Sequence, residues 1–133
     1  MDYNQETSLI PLKPIIYGCL IMLFTIFILT VILAITVELG WMGTIQPFSN
    51  DLYIVLFYLA VVTGSIMAGL KSGSRGWLAG IGVGLCSSII LMILTVFLGL
   101  KVNVGIYLVK VLLSSFIGIF GGIIGVNIGG GRR

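Results

Sequence analysis

The sequence predicts an all-α membrane protein, four transmembrane helices in an up-down bundle packed through glycine and other small residues, with both termini in the cytoplasm. Three observations predict it. Apolar residues make up 59% of the chain and charged residues only 8%, and mean hydropathy is +1.24, whereas soluble domains carry about 25% charged residues. The few charges cut the chain into lengths suited to a hydrocarbon core about 30 Å thick, which takes roughly 20 apolar residues of helix. Uncharged runs of 24, 19 and 25 residues separate Lys13 from Glu38, Asp51 from Lys71 and Arg75 from Lys101, and only Lys110 interrupts the stretch from Lys101 to Arg132. Small residues also recur at every fourth position, the spacing that lets helix backbones approach closely where lipid removes any hydrophobic drive to associate. Spans near 15–37, 52–70, 76–98 and 104–126 follow, forming a single domain over residues 1–133.

Residues 1–12, polar with two acids and a proline, form a short cytoplasmic tail. The span that follows, IIYGCLIMLFTIFILTVILAITV, exceeds the 7–15 apolar residues of a signal peptide, and no A-x-A cleavage site comes after it. It is expected to stay as a helix that faces lipid over much of its circumference. Residues 38–51 carry Trp41 and Phe48 beside Gly40, Gly43 and Pro47. An interfacial loop is the expectation, since Trp favours the headgroup level, with a re-entrant or gating segment beside Glu38 as the alternative.

The second span changes midway from aromatic and β-branched residues to small ones, Ala60, Gly64 and Ala68, so packing should be closest near the cytoplasm. A basic turn, Lys71 to Arg75, joins it to a third span that opens with Gly76, Gly80, Gly84 and Ser88. The two small-residue walls read as one transmembrane hairpin. A four-residue step drifts about 40° around a helix, which suits a right-handed crossing near −40°. The fourth span carries one row at Ser114, Gly118 and Gly122 and a second at Gly121, Gly125 and Gly129, so two faces should meet two neighbours. It should close in a glycine stop at 127–131 and a basic anchor, Arg132-Arg133.

The net charge of +3 is expected to set topology and not to bind nucleic acid. Lys13, Lys71, Arg75, Arg132 and Arg133 fall on one side and Lys101 on the other, which places the first group in the cytoplasm. Cys19 and Cys86 lie at unequal expected depths, one near the cytoplasmic face and one near mid-membrane, and are expected to be reduced packing residues.

Enzymatic chemistry fares badly, because the chain has no histidine and only four carboxylates, and neither cysteine stands beside a base in sequence. The run Gly80-Ile-Gly82-Val-Gly84 lacks the strand and βαβ context of a dinucleotide turn. No cofactor or metal is expected. Lys110, the one charge inside a span, is a candidate for an intramembrane ion pair with Glu38, for snorkelling to the outer interface, or for an ion or substrate pathway. Lys71 and Arg75 are candidates for an anionic lipid headgroup as well as for topology. Gly64, Ala68, Gly76, Gly80, Gly84, Gly118, Gly122 and Gly125 are the candidate packing residues.

The segment AGLKSGSRGWLAGIGVG at 68–84, with GIFGGIIGVNIGGG at 118–131, resembles the YrzE-like family of small bacterial four-helix membrane proteins of unknown function. The resemblance covers essentially the whole chain. It implies a bacterial cytoplasmic membrane location and four helices, and it brings no catalytic or binding residues.

The expected function is therefore a non-enzymatic tetraspan packing or assembly protein. It would act with lipid and with itself as a homo-oligomer, or as an accessory subunit of a larger membrane complex, because three glycine-lined helices offer more small-residue surface than one bundle needs. The alternative is a small dimeric transporter or ion channel. Four-helix exporters of this size place a carboxylate in the first span, where this chain has none, and the fluoride-channel pattern of a Phe-containing Thr/Ser turn is also missing.

Overall fold

The computed structural model describes residues 10–40 and 49–130, and these form four helices, α1 Leu12–Glu38, α2 Ser49–Ser72, α3 Gly76–Phe97 and α4 Val104–Gly130. Each is long and apolar enough to cross a membrane. The N-terminal nine residues, the loop readings at 41–48 and the anchor Arg132-Arg133 lie outside the described residues.

The helices overrun the apolar spans because backbone bonding, not hydropathy, decides where a helix ends. Pro14 sits in the first turn of α1, where the missing N–H would have had no intrahelical acceptor. At the far end of α3, Gly99 adopts φ 69°, a left-handed conformation that costs a residue without Cβ little. Its N–H reaches the Val96 carbonyl at 3.0 Å and that of Leu100 reaches the Thr95 carbonyl at 3.1 Å, the paired bonds of a Schellman stop. The glycine stop expected at 127–131 does not act at Asn127, since α4 stays helical to Gly130. Gly129 there lies alongside Leu70 of α2, and that neighbour supports the final turn.

Several hydroxyls inside the spans bond to their own helix. Thr25, Thr30, Thr95, Ser114 and Ser115 each donate to the carbonyl four residues earlier, at 2.6–2.9 Å. No water is present in hydrocarbon to satisfy a bare hydroxyl, so this local bond is the available one.

The α2–α3 pair forms the centre of the bundle. Helix α1 packs on both α2 and α3, and α4 packs on the same pair, while among the described residues α1 and α4 do not touch. Direction follows from the register. Along the α3–α4 seam Gly76 meets Gly122, Gly80 meets Gly118 and Gly84 meets Ser114, so one number falls as the other rises and the helices are antiparallel. Between α2 and α4, Ile66 meets Gly125 and Leu70 meets Gly129, rising together in a parallel pair.

This arrangement corrects two expectations. The small-residue walls of the α2–α3 hairpin do not face each other, because Gly64 and Ala68 abut Gly18 of α1 while Gly76, Gly80 and Gly84 abut α4. Nor is the small-residue surface in surplus. Gly18, Gly64, Gly69, Gly76, Gly80, Gly84, Gly118, Gly121, Gly122 and Gly125 all meet another helix within this one chain. A row of glycines shows that something comes close without saying what, and here the four helices use the rows themselves.

Apolar burial is correspondingly sparse. One cluster joins Ile15, Ala68, Ala79 and Val83, and a second joins Met22, Ala60 and Val61. The first lies in the half of the bundle nearer the α2–α3 turn, and the second lies near mid-bundle.

Candidate functional site

The packing residues occupy three seams, α1–α2, α3–α4 and, at Gly125, α2–α4. A Cβ added at Gly64 would lie 2.7 Å from the Gly18 carbonyl, and one at Gly18 would lie 2.7 Å from the Ala68 methyl. A Cβ at Gly84 would come within 2.5 Å of the Ser114 carbonyl, and at Gly76, Gly80, Gly118, Gly122 and Gly125 it would meet a facing carbonyl more closely still. Real Cβ atoms avoid such distances, so these helices are in direct backbone contact.

The charged candidates are distributed differently from the sequence expectation. Lys71 places its ammonium 4.0 Å from the centre of the Tyr17 ring, a cation–π contact that ties the end of α2 to α1. Arg75 precedes α3 and is engaged as well. The Glu38–Lys110 ion pair is not formed. Glu38 ends α1, Lys110 lies on α4, and those two helices make no contact with each other among the described residues. Depth alone suggested the pair, and depth carries no information about which helices are neighbours.

The cysteines need the opposite correction, since Cys19 and Cys86 do meet. Both pack against the Ile15, Ala68, Ala79 and Val83 cluster, which brings the Cys19 and Cys86 thiols together as neighbours. Helix α1 starts at Leu12, upstream of the apolar span, and α1 and α3 run in the same direction. Seven and ten residues of rise then put both thiols about 10–15 Å from the same end. Among the described residues no three His, Cys, Asp or Glu side chains gather as a metal site would require.

The residues with chemical capacity collect in a cleft of about 260 Å³ between α3 and α4, at the end of the bundle where these helices are joined. Lys101, Asn103, Tyr107, Lys110, Ser88 and Ser114 supply its polar lining, with Leu91, Val102 and Ile106 among its apolar walls. The hydroxyls are turned inward. Tyr107 donates to the Ser88 carbonyl. Ser114 donates to the Lys110 carbonyl at 2.6 Å, and the Ser88 hydroxyl lies 2.9 Å from the Gly84 carbonyl and 3.1 Å from the Ser114 oxygen. The Asn103 side-chain oxygen accepts from the Gly105 N–H at 3.2 Å. Past this network the glycine seam begins, and the cleft ends there.

Sequence reasoning found Lys110 but missed its companions. A signal existed: Asn103, Tyr107, Lys110 and Ser114 are spaced four, three and four apart, one face of a helix. A second cleft of about 130 Å³ lies between α1 and α2, lined by Ile26, Leu33, Tyr53 and Phe57 with other residues, Thr30 included.

No curated protein and no solved structure matches the chain. Residues 11–125, which reach from the start of α1 into the last turns of α4, match the model of DUF3792, proteins of unknown function, and the chain belongs to that family.

Proposed function

We propose that this chain is a non-enzymatic, YrzE-like subunit of the bacterial plasma membrane, with both termini in the cytoplasm, that works by assembling with a membrane protein partner through α1. The supporting observation is the uneven partnering of the helices. In its most apolar window α1 has 6% of its residues buried, against 28–33% in α2, α3 and α4. It presents Phe24 and Phe27 as exposed side chains, and aromatic residues are enriched at protein interfaces. The glycine rows, consumed inside the chain, do not carry this reading. Its non-enzymatic part rests on the absence of histidine and the scarcity of carboxylates.

The test places a photo-crosslinking residue at Phe27 and, separately, at Phe116 on α4, which is similarly exposed. In native membranes the Phe27 probe should give a protein adduct of defined mass, either a second copy or a larger subunit, and the Phe116 probe should give lipid adducts. Lipid adducts at both positions would defeat the proposal.

The cleft favours a second reading, a small transporter or channel that uses Lys110. Because the cleft stops at Ser88, Ser114 and the glycine seam, such a path would run between copies of the chain and not through one. Reconstituted vesicles decide the matter: on this reading Lys110→Met abolishes a measurable ion flux at unchanged expression, and absence of flux from the unaltered protein removes the reading.

A further inference from the structure

We infer that the α3–α4 cleft binds a phosphate-bearing anion, with an anionic lipid headgroup as its source. Each hydroxyl in the lining spends its proton on the protein: Tyr107 on the Ser88 carbonyl, Ser114 on the Lys110 carbonyl, Thr95 on the Leu91 carbonyl, and Ser88 on the Gly84 carbonyl, with the Ser114 oxygen 3.1 Å away. Asn103 uses its oxygen on Gly105, which leaves its NH2 group with two donors. The unspent donors that remain to meet a ligand are this amide and the ammoniums of Lys101 and Lys110. A ligand that only accepts hydrogen bonds fits such a set.

Charge points the same way. From Gly76 to Gly130 the chain contains no carboxylate, and its two charged residues, Lys101 and Lys110, both line this cleft. Two carboxylates lie on other helices at this end: Glu38 ends α1, which does not touch α4 among the described residues, and Asp51 stands in the first turn of α2. Two like charges next to hydrocarbon repel each other and lose hydration, and an anion held between them relieves both costs. Lys110 lies about 9 Å along α4 from its start, a depth from which its stem can raise the ammonium toward the headgroup level.

Shape selects the source. Leu91, Val102 and Ile106 form apolar walls beside the lysines, so an acyl chain can lie against the cleft while its phosphate meets the ammoniums. A free phosphate would leave those walls unused. The volume of about 260 Å³ is below the roughly 300–1,000 Å³ typical of sites that enclose a drug-sized molecule, and it suits a headgroup whose chains remain in the bilayer.

The experiment is native mass spectrometry of the full chain in detergent with equimolar phosphatidylglycerol and phosphatidylcholine. The unaltered protein should retain the anionic lipid with roughly tenfold preference, from two basic groups near the membrane surface. The paired variant Lys101→Gln, Lys110→Gln should lose that preference, and Lys101→Arg, Lys110→Arg should keep it. Size-exclusion profiles would establish that all the variants fold. The variant Lys13→Gln alters the opposite end, at the start of α1, and should leave the preference unchanged. A separate arm adds inorganic phosphate at millimolar concentration: displacement of the lipid through Lys101 and Lys110 supports the anion site, and phosphate binding without lipid preference assigns it to a free anion. Absence of preference together with absence of phosphate binding, or an equal loss in the Lys13 variant, overturns the inference.

Discussion

The half of the bundle beside the α2–α3 turn and the half beside the α3–α4 turn are built from the same four helices, yet only the first is closed. Near the α2–α3 turn the facing residues are Gly18, Gly64, Gly76, Gly80, Gly118 and Gly122, and backbone meets backbone. Toward the other end large side chains, Ile26, Leu33, Tyr53 and Phe57, line the space between α1 and α2. Both clefts described above draw on that open half. Side-chain size thus separates a fastened half from a parted one. Where side chains are nearly absent the helices lock together, and where they are bulky the helices leave room for polar groups.

The comparison breaks most completely if the closed half is forced apart. Gly80→Val puts new atoms into the Gly118 backbone, and neither helix has a side chain there to move aside. It should cost about 3 kcal/mol or more, read as an earlier midpoint in a mixed-micelle SDS unfolding titration. Gly130→Ala, at a position with nothing within 4 Å of an added Cβ, should be neutral or stabilising by up to about 1 kcal/mol. Equal effects at the two positions would mean that the seam is not tight.

A covalent probe sharpens the comparison. The Cys19–Cys86 contact spans α1 and α3 within the closed half, so diamide oxidation of membranes should give an intramolecular disulfide. A faster-migrating monomer on non-reducing gels, lost in Cys86→Ser, is the expected result, and dimers alone would contradict the α1–α3 register. The smallest effect is expected at Ser65, fully buried opposite Gly121 with a hydroxyl that has no hydrogen-bond partner among the described residues. Ser65→Ala removes that unsatisfied group and should stabilise by up to about 1 kcal/mol in the same titration, and a clear destabilisation would show that the hydroxyl has a partner in the membrane.

The four crossings were legible because charge spacing and run length reflect bilayer thickness directly. The two small faces of α4 were legible too, since a period of four on a helix marks a face wherever the helix finally packs. Neighbours were not legible. Gly64 in α2 and Gly80 in α3 look alike in sequence, but one meets α1 and the other α4. The same ignorance pairs Lys110 with Glu38 and separates Cys19 from Cys86, the latter because depth in the bundle counts from the first helical residue and not from the first apolar one. The cleft was hidden because its parts come from two helices and the turn between them, and only the α4 stripe shows a period.

Chain order gives the lack of α1–α4 contact a consequence for biogenesis. All the surfaces that α1 needs have emerged once α3 is synthesised, whereas the glycines of α3 wait for the last segment to leave the ribosome. A chain stalled before α4 would therefore hold a docked first helix beside an unclosed groove at Gly76, Gly80 and Gly84, a form that membrane quality control could distinguish from the finished protein.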